Sequence, residues 1–453
     1  MSIATAAESR SLAGWGRTTA TRSWVARPEG TTAVEEALRS ATTPLIARGL
    51  GRSYGDAAQC GGGLVLDTSC LSSIGSIDEQ GVVEVGAGVS LHRLMKETIP
   101  SGWFVAVTPG TRYVTVGGAI ASDVHGKNHH RDSSFARHVR QLTLATPAGT
   151  FTASPEKEPD LFWATAGGMG LTGVVVSATL QLMPVETSWM RVDTERFRRL
   201  DDLMTKMEAT DHEYRYSVAW LDCLPHRDGA RRSVLTRGDH APSAVLPDRL
   251  RTRSRETPGE PTLRVPRPVP GRLANRLSVR ALNEGWFRTS PATRGALQPL
   301  TGFFHPLDGL ENWNYLYGPG GFVQYQFVSP ADRADVVEDA VGAIASSGLP
   351  SFLAVLKRFG RGTPGPLSFA QEGWTLALDF PLGPPGLPAL LDRLDQLVAG
   401  AGGRVYLAKD ARLRPELLPV MYPRLAELRG VCQRVDPDGI LASDLSRRLG
   451  ILR

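Results

Sequence analysis

Short strand-like runs dominate the order of hydrophobic and polar residues in this chain. Apolar and β-branched residues between turn residues predict strands at 44–47, 64–67, 82–85, 139–144, 149–153, 174–183, 214–222, 322–328, 353–358, 375–380 and 403–407. Helical spacing predicts helices at 31–39, 91–100, 331–346 and 388–398, and further helices within 190–211 and 416–434. The pattern therefore predicts an α+β protein with few long helices.

The length of 453 residues is enough for two domains. No run approaches the roughly 18 consecutive apolar residues of a spanning helix, and residues 1–23 lack the apolar core of a secretory signal. The four cysteines are scattered, without the spacing of a zinc site or a disulfide framework. We therefore expect a cytoplasmic protein, with peripheral contact to a membrane or the cell envelope as an alternative.

A glycine-rich stretch at 48–56 is the first candidate binding site. It places three glycines, a serine and two arginines directly after a predicted strand. Glycine lets the backbone approach a ligand closely, and successive N–H groups in such a turn bind anionic oxygens. We interpret the stretch as a loop that holds a diphosphate; a tight turn without a ligand is the alternative.

The stretch at 115–130 is the second candidate. Its small residues would let a flat ligand lie against the backbone, and its polar end contains three histidines and a lysine. His125 and His129 stand four residues apart, but Gly126 weakens a helix there and no carboxylate or thiolate pattern completes a ligand set. We therefore predict no metal site.

Glycines at 168, 170 and 173 match the G-x-G-x-x-G pattern of dinucleotide-binding proteins. That pattern must open a helix, whereas residues 174–183 are rich in β-branched residues and end at Pro184. A nicotinamide site of this kind is therefore not predicted.

Two further features bear on a substrate. Gln324 and Gln326 share one face of a predicted strand, where they would bind sugar hydroxyls if that face meets a ligand. Only six of the 51 basic residues are lysines, so each lysine is more noticeable than a surface arginine.

The net charge of +5 comes from one segment. Residues 227–280 contain 13 arginines, five acidic residues and many prolines. The prolines argue against a helix that reads a nucleic-acid groove, and no nucleic-acid motif accompanies them. We predict a mobile basic loop and no nucleic-acid partner. Three interpretations of this loop remain open: a solvated loop, a flap over a substrate site, or a contact with anionic lipid or a phosphorylated substrate.

Together these stretches resemble the flavin-dependent oxidases and dehydrogenases of the vanillyl-alcohol oxidase type. The motifs that carry the resemblance lie, in order, at 48–56, 117–130, 160–173, 305–308, 324–327, 373–381, 408–410 and 443–449. The resemblance implies a two-part FAD-binding domain, at 1–188 with a C-terminal segment at 403–453, and an inserted antiparallel-sheet substrate domain at 189–402. Many relatives carry a histidine bonded to the flavin where this chain has Arg52, so non-covalent FAD is expected.

The resemblance also implies which residues form the site. For FAD they are Arg48, Gly49, Leu50, Gly51, Arg52, Ser53, Tyr54, Gly55, Thr111, Gly117, Gly118, Ser122, His125, Gly126, Asn128, Gly170, Gly173 and Lys409. For the substrate they are Tyr54, Lys127, Trp220, Gln324, Gln326, Lys357 and Ala377. Lys409 and His125 are the implied catalytic residues, and Lys409 is either a base for the hydroxyl proton or a clamp on substrate oxygen or phosphate.

Within this family, the motifs are similar to those of enzymes that oxidise the 2′-hydroxyl of a polyprenylphosphoryl-β-D-ribose to a ketone. That reaction is the first half of an epimerisation, which a separate keto-reductase completes. Thr375 and Ala377 depart from the family pattern, which often has asparagine and usually has cysteine there, and they alter the pocket wall.

Two alternative functions remain open. One is the same flavin chemistry on a soluble sugar, alditol or nucleoside hydroxyl. The other is a non-enzymatic protein that binds a membrane or nucleic acid through residues 227–280.

Overall fold

The computed structural model describes residues 7–226, 229–266 and 275–452. The first sheet of this part has four strands in the order β1-β2-β4-β3, namely β1 Glu8–Ala13, β2 Ala20–Ala26, β3 Leu45–Arg48 and β4 Leu64–Asp67. β1 and β2 are antiparallel, whereas β2 and β3 both run parallel to β4. Residues near the C-terminus extend the sheet beside β3, since Leu45 N donates to Ile440 O at 2.8 Å and Ala442 N donates to Leu45 O at 3.0 Å.

The second sheet is built around its longest strand. Its members are β5 Val82–Gly86, β6 Trp103–Val105, β7 Val139–Thr146, β8 Gly149–Ala153 and β9 Val174–Pro184. β5, β6 and β7 each pair antiparallel with β9, and β8 pairs with β7. Because β9 begins directly after Gly173, the prediction that the G-x-G-x-x-G run does not open a helix is confirmed.

The third sheet has eight antiparallel strands in the order β14-β10-β12-β11-β17-β18-β16-β19. They are β10 Trp189–Phe197, β11 Tyr216–Leu221, β12 Ser233–His240, β14 Thr293–Pro299, β16 Phe322–Pro330, β17 Ala354–Phe359, β18 Gly373–Pro381 and β19 Arg404–Val405. A short parallel pair, β13 Leu263–Arg264 and β15 Leu310–Glu311, lies apart from it. Antiparallel pairing dominates the structure, which agrees with the predicted α+β class.

Helices cover these sheets. They are α1 Thr31–Ser40, α2 Leu91–Thr98, α3 Val116–Ala121, α4 His129–Asp132, α5 Pro159–Thr165, α6 Leu200–Thr210, α7 Asp248–Arg251, α8 Arg276–Thr289, α9 Leu300–Phe304, α10 Asp335–Ser347, α11 Leu387–Gly400, α12 Leu418–Met421, α13 Leu425–Val435 and α14 Asp444–Leu449. Ser90 caps α2, because its Oγ accepts from Arg93 N at 3.1 Å. Pro423 separates α12 from α13, since proline disfavours the helical conformation of the residue before it.

One face of the eight-stranded sheet packs on α6, α10 and α11. Leu356, Leu376 and Leu378 from its central strands are buried there with Val337 and Leu394 from the helices. Because side chains alternate along a strand, the residues between these leucines face the opposite way. That opposite face carries the polar groups described below.

The prediction of a loop at 227–280 is wrong for two parts of that segment. Residues 233–240 form β12, which pairs along both edges with β10 and β11, and 276–280 begin α8. Arg237 is buried in β12 and is paired with Glu195. Two-sided pairing and this ion pair outweigh the low strand propensity of the surrounding charged and glycine residues. Residues 227–228 and 267–274 of the predicted loop lie outside the described residues.

The described helices include none that is both long and apolar enough to cross a membrane.

Candidate active site

The glycine-rich loop leaves β3 and runs between two other segments of the chain. Trp15 N, in the turn after β1, donates to Ser53 O at 2.8 Å. Tyr54 N donates to Ala408 O at 2.9 Å, next to Lys409. The loop is therefore fixed between the N-terminal turn and the segment that carries the predicted catalytic lysine.

Close packing explains why glycine occupies two positions of this loop. A Cβ on Gly49 would lie 2.2 Å from Thr115 Oγ1, at the start of α3. A Cβ on Gly55 would lie 1.9 Å from the carbonyl oxygen of Asp410. Both distances are far below van der Waals contact, so a larger residue would push these segments apart.

The loop fits the diphosphate of FAD. None of the backbone N–H groups of residues 49–53 donates a hydrogen bond to another described residue. Gly51 adopts φ +63°, which helps to turn successive N–H groups toward one concave site. Such a row of donors is suited to anionic oxygens, and the role of the loop in holding the diphosphate of FAD stays a prediction.

The two arginines of the loop have different surroundings. The Arg48 guanidinium donates to Ala58 O at 2.9 Å and to Ala13 O at 2.8 Å, so it supports the loop from the protein side. The Arg52 guanidinium lies 3.9 Å from the Trp15 ring centroid, a cation–π contact. Non-covalent FAD, which was predicted from Arg52, stays a prediction.

The other predicted FAD residues lie at several places around this loop. Gly117 and Gly118 lie in α3, whose cap Thr115 accepts from Gly118 N at 3.1 Å. The Tyr406 hydroxyl donates to Ser122 O at 2.7 Å, at the end of the same helix. The remaining predicted FAD residues have the following surroundings. Leu50 is 44% exposed, and Thr111 Oγ1 accepts from Tyr113 N. A Cβ added at Gly126, Gly170 or Gly173 would meet Thr108 O, Ile46 or Ala145 O, respectively.

The side-chain amide of Asn128 is bound by other protein groups. Its Nδ2 donates to Ala106 O at 2.8 Å and to Asp132 Oδ2 at 2.7 Å, and the side chain is buried. These contacts hold the turn before α4. A role for Asn128 in binding FAD stays a prediction.

Strand register brings the predicted substrate residues onto one face of the eight-stranded sheet. Trp220, Val355, Ala377 and Gln326 form a row across β11, β17, β18 and β16. In the neighbouring rows, Lys357 is paired with Thr375 and Gln324 is paired with Asp379. The face opposite the leucine core is therefore lined by amides, a lysine and a carboxylate.

His125 meets this face from the loop after α3. Its Nε2 lies 3.0 Å from Gln326 Nε2, and its Nδ1 lies 3.3 Å from Lys357 Nζ. The ring is enclosed by Phe359, Phe369 and Tyr406, with centroids 4.7, 5.9 and 5.6 Å away. The structure thus brings together His125, Gln326 and Lys357, which are more than 30 residues apart in sequence.

Two more of the six lysines lie close by and are half-buried. Lys409 Nζ lies 5.7 Å from the Tyr54 ring centroid. Lys127 donates to Phe303 O and lies 4.4 Å from the ring centroid of Phe303. The charges of Lys127 and Lys409 both act on Lys357, so the three lysine side chains share one region of the pocket.

Burial makes the charged forms of these groups unfavourable. It lowers the pKa of Lys127 to about 7 and that of Lys409 to about 8, although the charge of Asp379 opposes the latter shift. Burial, reinforced by the charges of Lys409 and Lys127, moves the pKa of Lys357 well below its ordinary value. The pKa of His125 is likewise well below normal because of burial and of Lys357 and Lys409.

Sequence reasoning missed Asp379, the carboxylate of this pocket. It accepts hydrogen bonds from the Tyr317 hydroxyl at 2.9 Å and from Gln324 Nε2, and burial raises its pKa to about 6. The available signal was a single charged residue inside the otherwise uncharged run of β18, two residues after Ala377. Its pairing with Gln324 and Tyr317 depends on tertiary contacts.

Within the described ranges, no group of three or more histidine, cysteine, aspartate or glutamate side chains is arranged to hold a metal ion.

Comparison with known proteins agrees with this geometry. Residues 23–154, which contain the glycine-rich loop and α3, match the family model of the FAD binding domain. The chain is therefore an FAD-binding oxidoreductase.

Similarity to individual proteins defines the family of this chain more narrowly. The chain is 43% identical over 452 residues to decaprenylphosphoryl-β-D-ribose oxidase of Mycolicibacterium smegmatis, covering 97% of each protein. It is 43% identical over 372 residues to an uncharacterised protein in the mprA 5′ region of Streptomyces coelicolor, covering 80% of this chain and all of that relative. Cytokinin dehydrogenase 2 of Arabidopsis thaliana is 26% identical over 183 residues, 39% of this chain and 36% of the relative. The chain belongs to the family of decaprenylphosphoryl-β-D-ribose oxidase.

Replacing Gly55 with alanine tests the role of the loop. The new Cβ would overlap Asp410 O, so the loop must move and we expect FAD affinity to fall about 10-fold or more, the scale of an overpacked site. The measurement is the FAD released into the supernatant by acid precipitation, per mole of protein, at a series of FAD concentrations. Gly342→Ala, in α10 with open space around it, is the matched control. Equal FAD content in both variants, or flavin that stays with the precipitate, would contradict the account.

Proposed function

We propose that this protein uses non-covalently bound FAD to oxidise the 2′-hydroxyl of a polyprenylphosphoryl-β-D-ribose to the 2′-ketone. One observation supports this proposal above others: three half-buried lysines lie close to His125 or to one another, and the carboxylate of Asp379 compensates the charge of Lys409 alone among them. Buried cations need partners, and a phosphoryl group is an anion that would supply the missing charge. The name of the mycolicibacterial relative points to the same substrate class.

The domain arrangement follows the same proposal. Residues 1–188 and 403–453 would form the FAD-binding part, and residues 189–402 the substrate part. The contacts of the C-terminal segment support this division, because Arg448 bridges Asp56 of the glycine-rich loop and Asp410 at 2.8 and 2.9 Å.

The residues have separate roles in this reaction. When bound, the flavin supplies the acceptor for the hydride from the sugar carbon. Lys409 takes the hydroxyl proton, because a pKa of about 8 leaves part of its amine uncharged near neutral pH. Gln324 and Gln326 hold sugar hydroxyls, and Gln326 Oε1 is a buried acceptor without a partner in the described structure. Lys127 faces the phosphoryl group.

The product has a place in a longer sequence of reactions. Oxidation at C2′ removes the stereochemistry of that carbon. A reductase that returns a hydride to the opposite face would complete an epimerisation of the lipid-linked sugar. We propose that such a separate enzyme consumes the ketone.

Electron-donor specificity tests the proposal. Under anaerobic conditions, a short-chain substrate such as farnesylphosphoryl-β-D-ribose should bleach the visible absorption of the bound flavin, whereas D-ribose at the same concentration should not. Equal bleaching by D-ribose would favour oxidation of a soluble sugar. Bleaching by neither compound would contradict the proposed substrate.

Replacing Lys409 with methionine tests its role as a base. Loss of a positioned base should lower kcat by about 100-fold or more, without loss of bound FAD. In the unchanged protein, kcat/KM should rise with pH and level off above about 8, because only the deprotonated amine accepts a proton. Lys157→Met, at an exposed position, is the control. A profile that falls through pH 8 would instead make the Lys409 ammonium a clamp.

We further propose that α8 contacts an anionic lipid surface. Leu277, Leu282 and Trp286 are 80, 48 and 52% exposed; at 3.6 residues per turn they spread over about half of the helix circumference, with Arg288 beside Leu277. Val279 and Phe287 of the same helix are buried. Exposed aromatic and aliphatic residues beside arginines are typical of helices that lie in a membrane interface. The excess of arginine over acidic residues in 227–280 gives this segment the charge that complements anionic lipid.

Vesicle sedimentation tests this contact. The protein should sediment with vesicles of phosphatidylcholine and phosphatidylglycerol, and the double variant Leu277→Glu, Leu282→Glu should bind about 10-fold less, since it places charge at the interface. Val420→Glu, at a 56% exposed position in α12, should bind as the unchanged protein does. Two results would contradict the proposal: equal binding by all variants, or a dimer that the double variant dissociates without any vesicle binding.

A further inference from the structure

Thr375 has a fixed hydrogen-bond pattern. Its Oγ lies 2.8 Å from the carbonyl oxygen of Phe327. Two oxygens at this distance need a proton between them, and only the hydroxyl has one, so Thr375 must donate to Phe327 O. Its Oγ also lies 2.9 Å from the side-chain amide of Gln326, and here it must accept. The amide group that faces Thr375 is therefore the nitrogen of Gln326.

This orientation decides the tautomer of His125. The Gln326 nitrogen, held by Thr375, also lies 3.0 Å from His125 Nε2 and presents its second hydrogen to it. His125 Nε2 must therefore be an acceptor without a proton. A neutral imidazole has one N–H, so that proton is on Nδ1.

The tautomer of His125 in turn decides the protonation state of Lys357. His125 Nδ1 lies 3.3 Å from Lys357 Nζ. If Nδ1 carries a proton, this contact is a hydrogen bond only when Lys357 is an uncharged amine that accepts it. An ammonium group there would face an N–H instead.

We propose that Thr375 is a positioning residue that acts through Gln326 to hold His125 in its Nδ1–H form and Lys357 as an uncharged amine. Lys357 then keeps two N–H donors for substrate oxygen without adding a third positive charge to the pocket. Thr375 itself touches no reacting atom and works only through Gln326.

The surroundings of the four residues agree with the proposal. Thr375 and Gln326 are 0% exposed, so water does not compete for their hydrogen bonds. The titratable groups whose charges act on His125 or Lys357 are Lys127, His129 and Lys409, and the carboxylate of Asp379 acts on Lys409. The three lysines outnumber the carboxylate, which disfavours a proton on either His125 or Lys357.

Histidine tautomers measured by NMR test the first part of the proposal. In FAD-loaded protein labelled with ¹⁵N-histidine, the His125 signals, assigned by their loss in His125→Gln, should show a proton on Nδ1 and none on Nε2. Thr375→Val keeps the shape of the side chain but removes the hydroxyl. The amide can then turn its oxygen to His125, and the proton should move to Nε2. Thr375→Ser should keep the original tautomer.

A proton on Nε2 in the unchanged protein would overturn the proposal, and so would an unchanged tautomer in Thr375→Val. If Thr375→Val does not fold, the tautomer of the unchanged protein decides alone. The NMR measurement needs no substrate, so its result does not depend on whether the proposed oxidation is correct.

Kinetics test the second part, which rests on the proposed function. Thr375→Val should bind FAD normally but lose about 10-fold in kcat/KM, the scale of one mispaired buried polar group. The pH profile should also change shape, because Lys357 would regain its proton within the measured range. Thr375→Ser should restore both rate and profile. A rate loss in Thr375→Val with an unchanged pH profile would indicate a merely structural role and contradict the proposal.

Discussion

The clustering of three half-buried lysines near one carboxylate is the constraint on which the rest of this structure depends. A charge that is partly removed from water without a partner is unfavourable, which favours either proton loss from Lys127, Lys357 and Lys409 or their contact with an anion. The pocket shows both effects, a lowered pKa and a partner anion. The pKa of each lysine is lowered, while Asp379 partly compensates the charge of Lys409. A phosphorylated substrate would complete the compensation, and its anion would favour the protonated form of Lys127.

The fold supplies this pocket and the FAD loop as one unit. Lys409 follows the residue whose carbonyl accepts from Tyr54 N in the glycine-rich loop, and Gly55 packs on the next residue, Asp410. A shift in the loop would therefore move the lysine as well. On the other side, two-residue periodicity in β16 and β18 places Gln326 and Asp379 on the same sheet face. The proposed cofactor site and the proposed substrate site meet where the glycine-rich loop with its Lys409 segment approaches this sheet face.

Local patterns were sufficient to predict part of this site. The glycine spacing at 49–55 indicated a ligand loop, and the alternation at 324–326 put both glutamines on one face. Asp379 was missed because its significance comes from Gln324 and Tyr317, which are distant in sequence. The loop prediction for 233–240 was wrong because pairing with β10 and β11 outweighs local composition. The role of Thr375 needed the hydrogen-bond directions of four residues, which no single stretch of sequence contains.

Lysine titration by NMR tests the central claim of this account most directly. The chain has only six lysines, so selective isotope labelling gives a small set of signals that single variants can assign. In FAD-loaded protein, Lys127 should titrate near pH 7, Lys409 near pH 8 and Lys357 well below its ordinary range. Addition of farnesylphosphoryl-β-D-ribose should raise the pKa of Lys127, because its ammonium then faces a phosphoryl anion. Six lysines that all titrate near about 10.4, the ordinary value, or a Lys127 pKa that does not respond to the ligand, would contradict the account.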